Sequence, residues 1–228
     1  MAFTRTVGQI VELAQRRADK ETDDHVDTAE DWKPYLSEMY GELHAAVADT
    51  GARYFETEAT ITATGASSYS LPSDHLATVG VDRTDSAGNR WPLAELMVQE
   101  RHLFGGRTGD AWLFAFTGTS IVLYPTPSSG SYKHLYVPQP TDYSAASNST
   151  EVDLLNTHGL SFVLWGMAAL ALHRGDDNQQ RALMERDAAK ERLIEAAVRR
   201  ALTMPKRRQV TETDLETGGW IEGDWRFR

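Results

Sequence analysis

Seven histidines and 33 carboxylates are the side chains of this 228-residue chain best suited to acid–base or metal chemistry. Imidazole titrates near neutrality and binds zinc, but a zinc site needs its ligands at characteristic spacing. His25, His44, His75, His102, His134, His158 and His173 show no such spacing, and no His-Glu-x-x-His occurs. Each is read singly, as a surface or capping residue. So many carboxylates always permit a hypothetical acid–base pair, and nothing singles out two of them. "GLSFV" (Gly159 to Val163) lacks the second glycine of a nucleophile elbow. "GGRTGD" (Gly105 to Asp110) lacks the Lys-Ser/Thr of a phosphate loop and reads as a flexible turn. Between Asp19 and Asp31 lie seven carboxylates and one lysine. A calcium loop needs alternating oxygen ligands, a central glycine and a terminal glutamate. The glycine and the spacing are missing, so this is a solvated linker. The chain has no cysteine, hence no disulfide frame, thiolate site or thiol nucleophile. The expectation is a protein with no catalytic centre, no cofactor and no metal.

Composition narrows the class further. Lys+Arg total 23 against the 33 acids, a formal net charge of -10. That opposes general nucleic-acid binding, which rests on basic residues neutralising phosphates. Residues 160–172 carry no charge, yet a membrane helix needs about 20 apolar residues, and shorter runs are more often core helices. Met1 to Ile10 lacks a signal-peptide pattern, which predicts a chain made and folded in a cytoplasm.

The elements that would position any site follow from periodicity. Val7, Ile10, Val11, Ala14 and Ala18 fall at helical spacing, predicting a helix over 6–20. Thr28 with Asp31 suggests a start box for a second helix, which carries Trp32, Leu36, Met39, Tyr40, Leu43 and Val47 on one side. Pro34 sits in its first turn, where the missing N–H is harmless. From Arg53 the period changes to two in "ATITATG" and "VGVDR", and the strand-like stretches "AWLFAFTGTSIVLYPTP" and "SYKHLYVPQP" come later. Gly118-Thr119 reads as a hairpin turn, and Pro125, Pro127, Pro138 and Pro140 close strands. Leu93 to Phe104 reads as one short helix inside this region, a small sandwich or curled sheet. The apolar run 160–172 predicts a central helix, with Leu154-Leu155 as its candidate start and Gly175 as its stop. A charged helix over 178–203 follows, with an apolar stripe in its second half. The fold class is α+β. Residues 1–52 give the N-terminal helices of a bundle, 53–150 a β-rich insertion, 151–204 the C-terminal helices, and 205–228 an extended arm. Leu164, Trp165, Ala168 and Leu172 are expected in the bundle core.

The order of these signals from about Trp32 to Ala201 resembles the head-to-tail adaptor (connector) proteins of tailed bacteriophages. The stretch "WKPYLSEMYGELHAAVADTGARYFETEATITATGASSYSLPSDHL" resembles their opening, with a Trp-led helix, a strand and a turn at Tyr69, Leu71, Pro72 and Asp74. "VGVDRTDSAGNRWPLAEL" resembles their next hairpin, and "SIVLYPTPSSGSYKHLYVPQP" a strand, a Pro-bounded turn and a strand. "DLLNTHGLSFVLWGMAALALHRGDD" with the charged helix after it resembles their closing helix pair. The resemblance implies a structural neck protein of the virion, assembled in the host cytoplasm. It implies a homo-oligomeric ring, a dodecamer, docked on the portal protein. Such a ring extends the DNA channel and gives tail or nozzle proteins a surface to bind. DNA would pass an acidic lining without sequence-specific binding.

Two further expectations concern particular residues. Lys206, Arg207, Arg208, Trp220, Ile221, Trp225 and Phe227 form a mixed-sign, aromatic-anchored arm suited to docking on a partner. The alternative function is a tail-associated glycan-binding or glycan-cleaving module, with Tyr69, Trp91, Trp112, Tyr132 and Tyr136 as a sugar platform.

Overall fold

The computed structural model describes residues 3–18, 29–172 and 177–203. In chain order, strand β1 (Thr4–Thr6) leads into helices α1 (Val7–Ala18) and α2 (Ala29–Ala48). Strands β2 (Thr57–Thr62), β3 (Ser68–Ser70), β4 (His75–Thr84), β5 (Arg90–Pro92) and β6 (Ala94–Glu95) follow. A 3-10 turn (Val98–Glu100) and the short helix α3 (Arg101–Phe104) come before β7 (Leu113–Thr117), β8 (Ser120–Tyr124) and β9 (Ser131–Pro138). Strand β10 (Glu151–Asp153) and helices α4 (Thr157–Ala171) and α5 (Asp177–Thr203) close the order. The chain divides into two compact units. One runs up to Phe55 and resumes at Gln139, and the other is Glu56–Pro138.

The first unit is a helical bundle around α4. Its core takes Ile10, Val11 and Ala14 from α1, Trp32, Leu36, Met39 and Leu43 from α2, and Ala182, Ala189, Leu193 and Ala197 from α5. These are the residues that 3.6-residue periodicity gathers on one side of each helix. α4 lies among all three and buries residues on most sides, among them Phe162, Val163, Leu164, Met167 and Ala168. Such all-round burial is why its run of residues carries no charge. Two glycines let the backbones approach. A Cβ on Gly159 would lie 2.1 Å from the Leu154 carbonyl oxygen, and one on Gly166 would lie 2.3 Å from Met39 Cε.

The start of α4 differs from the expected one. Leu154 and Leu155 are not helical, because β10 just before them pairs antiparallel with β1, Thr4 opposite Asp153. Asn156 is the cap, its side chain accepting from the backbone N–H groups of His158 and Gly159 at 2.8 and 2.9 Å. It satisfies two donors that the first helical turn leaves without partners. At the other end Gln179 of α5 donates its Nε2 to the carbonyls of Ala169 and Leu172, at 3.1 and 3.3 Å. The expected stop at Gly175, and the linker's central part, lie outside the described residues. The segment after Gln139 belongs with the helices: the Tyr143 ring meets Tyr40 edge-on at 5.0 Å, and Ser37 donates to Asp142 at 2.7 Å.

The second unit is a sandwich of two four-stranded sheets, ordered β2-β9-β4-β5 and β3-β8-β7-β6. Pairing is antiparallel except between β6 and β7. Alternation sends Ile61, Val81 and Tyr132 of one sheet against Phe114, Ile121 and Leu123 of the other. Gly118, at φ 58, makes the tight turn between β7 and β8. The helix expected over Leu93 to Phe104 is only its last four residues. Upstream, the backbone N–H groups of Leu93, Ala94 and Leu96 donate to the carbonyls of Val81, Trp112 and Phe114. Sheet pairing overrides a helix-like pattern there, since Leu93 faces the sandwich core while Leu96 packs on the other side, with Leu113 and Ala115.

Candidate functional site

Of the expected core residues, Leu164, Ala168 and Leu172 are buried. Trp165 is half-buried at the margin of the bundle, with the Arg17 guanidinium 4.7 Å from its ring centroid. Burial lowers the Arg17 pKa, and the charge of Glu185 on α5 offsets part of that. The aromatic-and-basic arm, Lys206, Arg207, Arg208, Trp220, Ile221, Trp225 and Phe227, lies outside the described residues.

The five aromatics of the sugar platform do not converge on one open face. Tyr132 and Tyr136 are buried on β9. The Tyr132 hydroxyl accepts from the Ala111 N–H at 3.1 Å, and the Tyr136 hydroxyl donates to Asp74 at 3.0 Å. Tyr69 and Trp91 are half-buried on β3 and β5, strands of different sheets, and Trp112 is partly exposed just before β7. The four on strands are packed as a half-buried pleat demands.

Two histidines depart from the surface or capping role read from the sequence. His44 is buried on α2, its ring stacked on Phe55 at 4.1 Å, and burial lowers its pKa. His134 of β9 is 1% exposed and stacks with both His75 and Tyr136, at 5.3 and 5.1 Å between centroids, and these two rings also meet each other at 5.8 Å. The Nε2 atoms of His75 and His134 each lie 2.9 Å from the Thr78 hydroxyl oxygen. Burial, and secondarily the proximity of His75, push His134 down to about 4. His134 is therefore neutral at pH 7. Its Nδ1 has no hydrogen-bond partner among the described residues. A bare lone pair is tolerated there better than an orphaned N–H. We assign the proton to Nε2, which donates to Thr78, and Thr78 in turn donates to His75. The shared hydroxyl is engaged on both sides and tethers β4 to β9. The signal for this cluster was the alternation in "SYKHLYVP", which puts Tyr132, His134 and Tyr136 on one face. Its partner His75 lies too far away in sequence for local spacing to find it.

No group of three or more His, Asp or Glu among the described residues can hold a metal ion. No helix among them is long and apolar enough to cross a membrane. What the bundle presents instead is surface. The outward face of α2 carries Glu38 and Glu42, with Asp49 just past its end, and that of α5 carries both charges, Arg181, Arg192 and Arg199 with Glu185, Glu191 and Glu195, beside Met184, Val198 and Leu202. In the sandwich unit, Leu76 and Val79 on β4 are exposed where the pairing with β9 shifts register, and Met97 and Leu103 project from the segment around α3.

No curated protein matches the chain. A family model described as SU10 adaptor protein matches residues 5–210, which takes in both flanks of the bundle and the whole sandwich between them. The chain belongs to the SU10 adaptor protein family: it is a head-to-tail adaptor of the bacteriophage neck, a structural protein and not an enzyme.

Proposed function

We propose that the chain assembles as a ring, a dodecamer, docked on the portal at the capsid vertex. The ring extends the DNA channel and offers tail or nozzle proteins their attachment surface. The family match across residues 5–210 is the observation that carries this reading. The fold suits it physically. A bundle and a sandwich, each with its own core, supply rigid surfaces of different character for lateral and end-to-end contacts. A net charge of -10 disfavours adhesion of DNA passing along the channel. Residues 205–228 act as an assembly arm on a neighbouring copy or the portal, with Trp220, Trp225 and Phe227 as anchors. The place of action is the virion neck, after assembly in the host cytoplasm.

The test is genetic and visual. Particles made without this chain are expected to accumulate as packaged heads without tails, and the purified chain added back restores tail joining. Tailed particles of normal yield in its absence would overturn the reading.

A further inference from the structure

The first half of β4 is held less firmly than the second. Asp82, Arg83 and Thr84 pair with β5 as well as with β9, and the β9 register runs unbroken from Gly80 to Thr84. The segment from His75 to Val79 pairs with β9 alone, and its register shifts between His75 and Ala77 and again between Thr78 and Gly80. A bulged segment with a ladder on one side is a weak part of a sheet. Leu76, Ala77 and Val79 are exposed there, whereas the side chains of His75 and Thr78 reach the buried His134.

What fastens this segment is the relay from His134 through Thr78 to His75, and it works only with both imidazoles neutral. Thr78 accepts from one Nε2 and gives its single hydroxyl proton to the other, both at 2.9 Å. A proton on His75 turns that acceptor into a second donor, and the Thr78 hydrogen loses its place. A proton on His134 creates an N–H at Nδ1, which has no hydrogen-bond partner among the described residues. Protons on both put like charges on rings whose centroids lie 5.3 Å apart.

The groups around the pair offer little compensation. Asp74, in the turn before β4, already accepts from the Tyr136 hydroxyl of β9 at 3.0 Å. The Tyr132 hydroxyl, two positions along β9, is held by the Ala111 N–H. β2 places Ala59 opposite His134, and β4 places Val81 there on the other side. β7 contributes the Phe116 ring, 6.4 Å from that of His75. Arg101 of α3, which donates to the Phe116 carbonyl and to the Thr117 hydroxyl, is a further cation rather than a counter-ion.

We infer that His75, Thr78 and His134 are a pH-sensitive latch, which holds residues 75–79 of β4 on β9 while both rings are neutral and releases them on protonation with the rest of the sandwich still folded. Leu76 and Val79, fixed in place by the closed latch, are freed with the segment. The device lies within the sandwich unit and does not depend on the ring reading. Its direction follows from burial: the closed form binds a proton on His134 more weakly than the open form does, so acid favours opening.

Hydrogen exchange of the full-length chain, read by mass spectrometry and corrected for the intrinsic pH dependence of amide exchange, tests this. From pH 7 to pH 5, peptides covering residues 75–79 are expected to exchange about twentyfold faster, the factor set by one imidazole at about 4 in the closed form and about 6.5 in the open one. Low urea should leave that exchange unchanged, because a local opening exposes little surface, while peptides of β7 and β8 respond to it. Thr78→Val deletes the shared hydroxyl and should speed the exchange of 75–79 already at pH 7. His75→Gln, at a half-buried position, leaves Thr78 an acceptor that takes up no proton and should shrink the pH effect. Exchange of 75–79 that is indifferent to pH, that follows urea as β7 and β8 do, or that is unaltered in either variant would overturn the inference.

Discussion

The Arg17 guanidinium lies over the Trp165 indole, 4.7 Å from its centroid, and this holds the largest side chain of α4 at the margin of the bundle. Full burial of a Trp is worth about 3–5 kcal/mol on truncation to Ala. Half-burial with a cation over the ring reduces the expected loss for Trp165→Ala to about 2 kcal/mol. Leu164→Ala, at a fully buried position of the same helix, is expected to cost more, in the range of about 2–5 kcal/mol. Urea unfolding of both variants checks the order. A larger loss for Trp165→Ala than for Leu164→Ala would show that the indole lies deeper than its contacts indicate.

Where an element stands on its own periodicity, it could be read directly. Val7, Ile10, Val11, Ala14 and Ala18 are buried as the α1 pattern requires, and so are the six apolar residues picked out on α2. The reading failed where a partner remote in sequence decides. Leu93 to Phe104 looks helical until β7 and Val81 of β4 take its backbone donors. Leu154-Leu155 looks like helix until β1 claims β10 just before it. His134 looks like any strand polar residue until His75 and Thr78 arrive from another strand.

Gly159 is a position where one methyl group should be felt through the whole bundle. A Cβ there would sit 2.1 Å from the Leu154 carbonyl oxygen, and backbone cannot swing aside. At Gly166 the close atoms belong to the Met39 side chain, whose flexible end can move. Gly159→Ala is expected to cost about 3 kcal/mol or more and Gly166→Ala less, as overpacking in a tight core does. Thermal midpoints of the two variants give the comparison, and equal midpoints would contradict it.

Acid should loosen the sandwich before it reaches the carboxylates. His134 is pushed down to about 4 in the fold, against about 6.5 in an unfolded chain. A folded-state pKa below the unfolded value means that the unfolded chain takes up the proton first. Stability is therefore full above about pH 6.5 and falls as the pH drops toward the folded value. Between pH 7 and pH 5 the loss attributable to this one imidazole is about 2 kcal/mol. His44 in the bundle acts in the same direction. Glu58, held down first by its hydrogen bond from Lys133, loses its contribution only at lower pH, below the usual carboxylate range. Urea midpoints at pH 7 and pH 5 measure the drop, and His134→Phe should shrink it. An undiminished drop in that variant would assign the effect elsewhere.

Deleting residues 205–228 should leave the described fold intact, since each unit has a core of its own built from described residues. The thermal midpoint of the truncated chain is expected within a few degrees of the full-length value, while stable docking on portal-bearing capsids is lost. Unfolding or aggregation of the truncated chain would mean that these residues complete its own core. Normal docking would give them another role.

The proposed ring between portal and tail is built of copies of this chain. Electron microscopy of the particle neck, with symmetry determined without imposing it, tests this most directly. The expected density is a closed twelvefold ring, seated on the portal, into which the helical bundle and the sandwich of this chain each fit. A neck whose density between portal and tail accommodates neither unit, or in which the chain is present as a single copy, would contradict it.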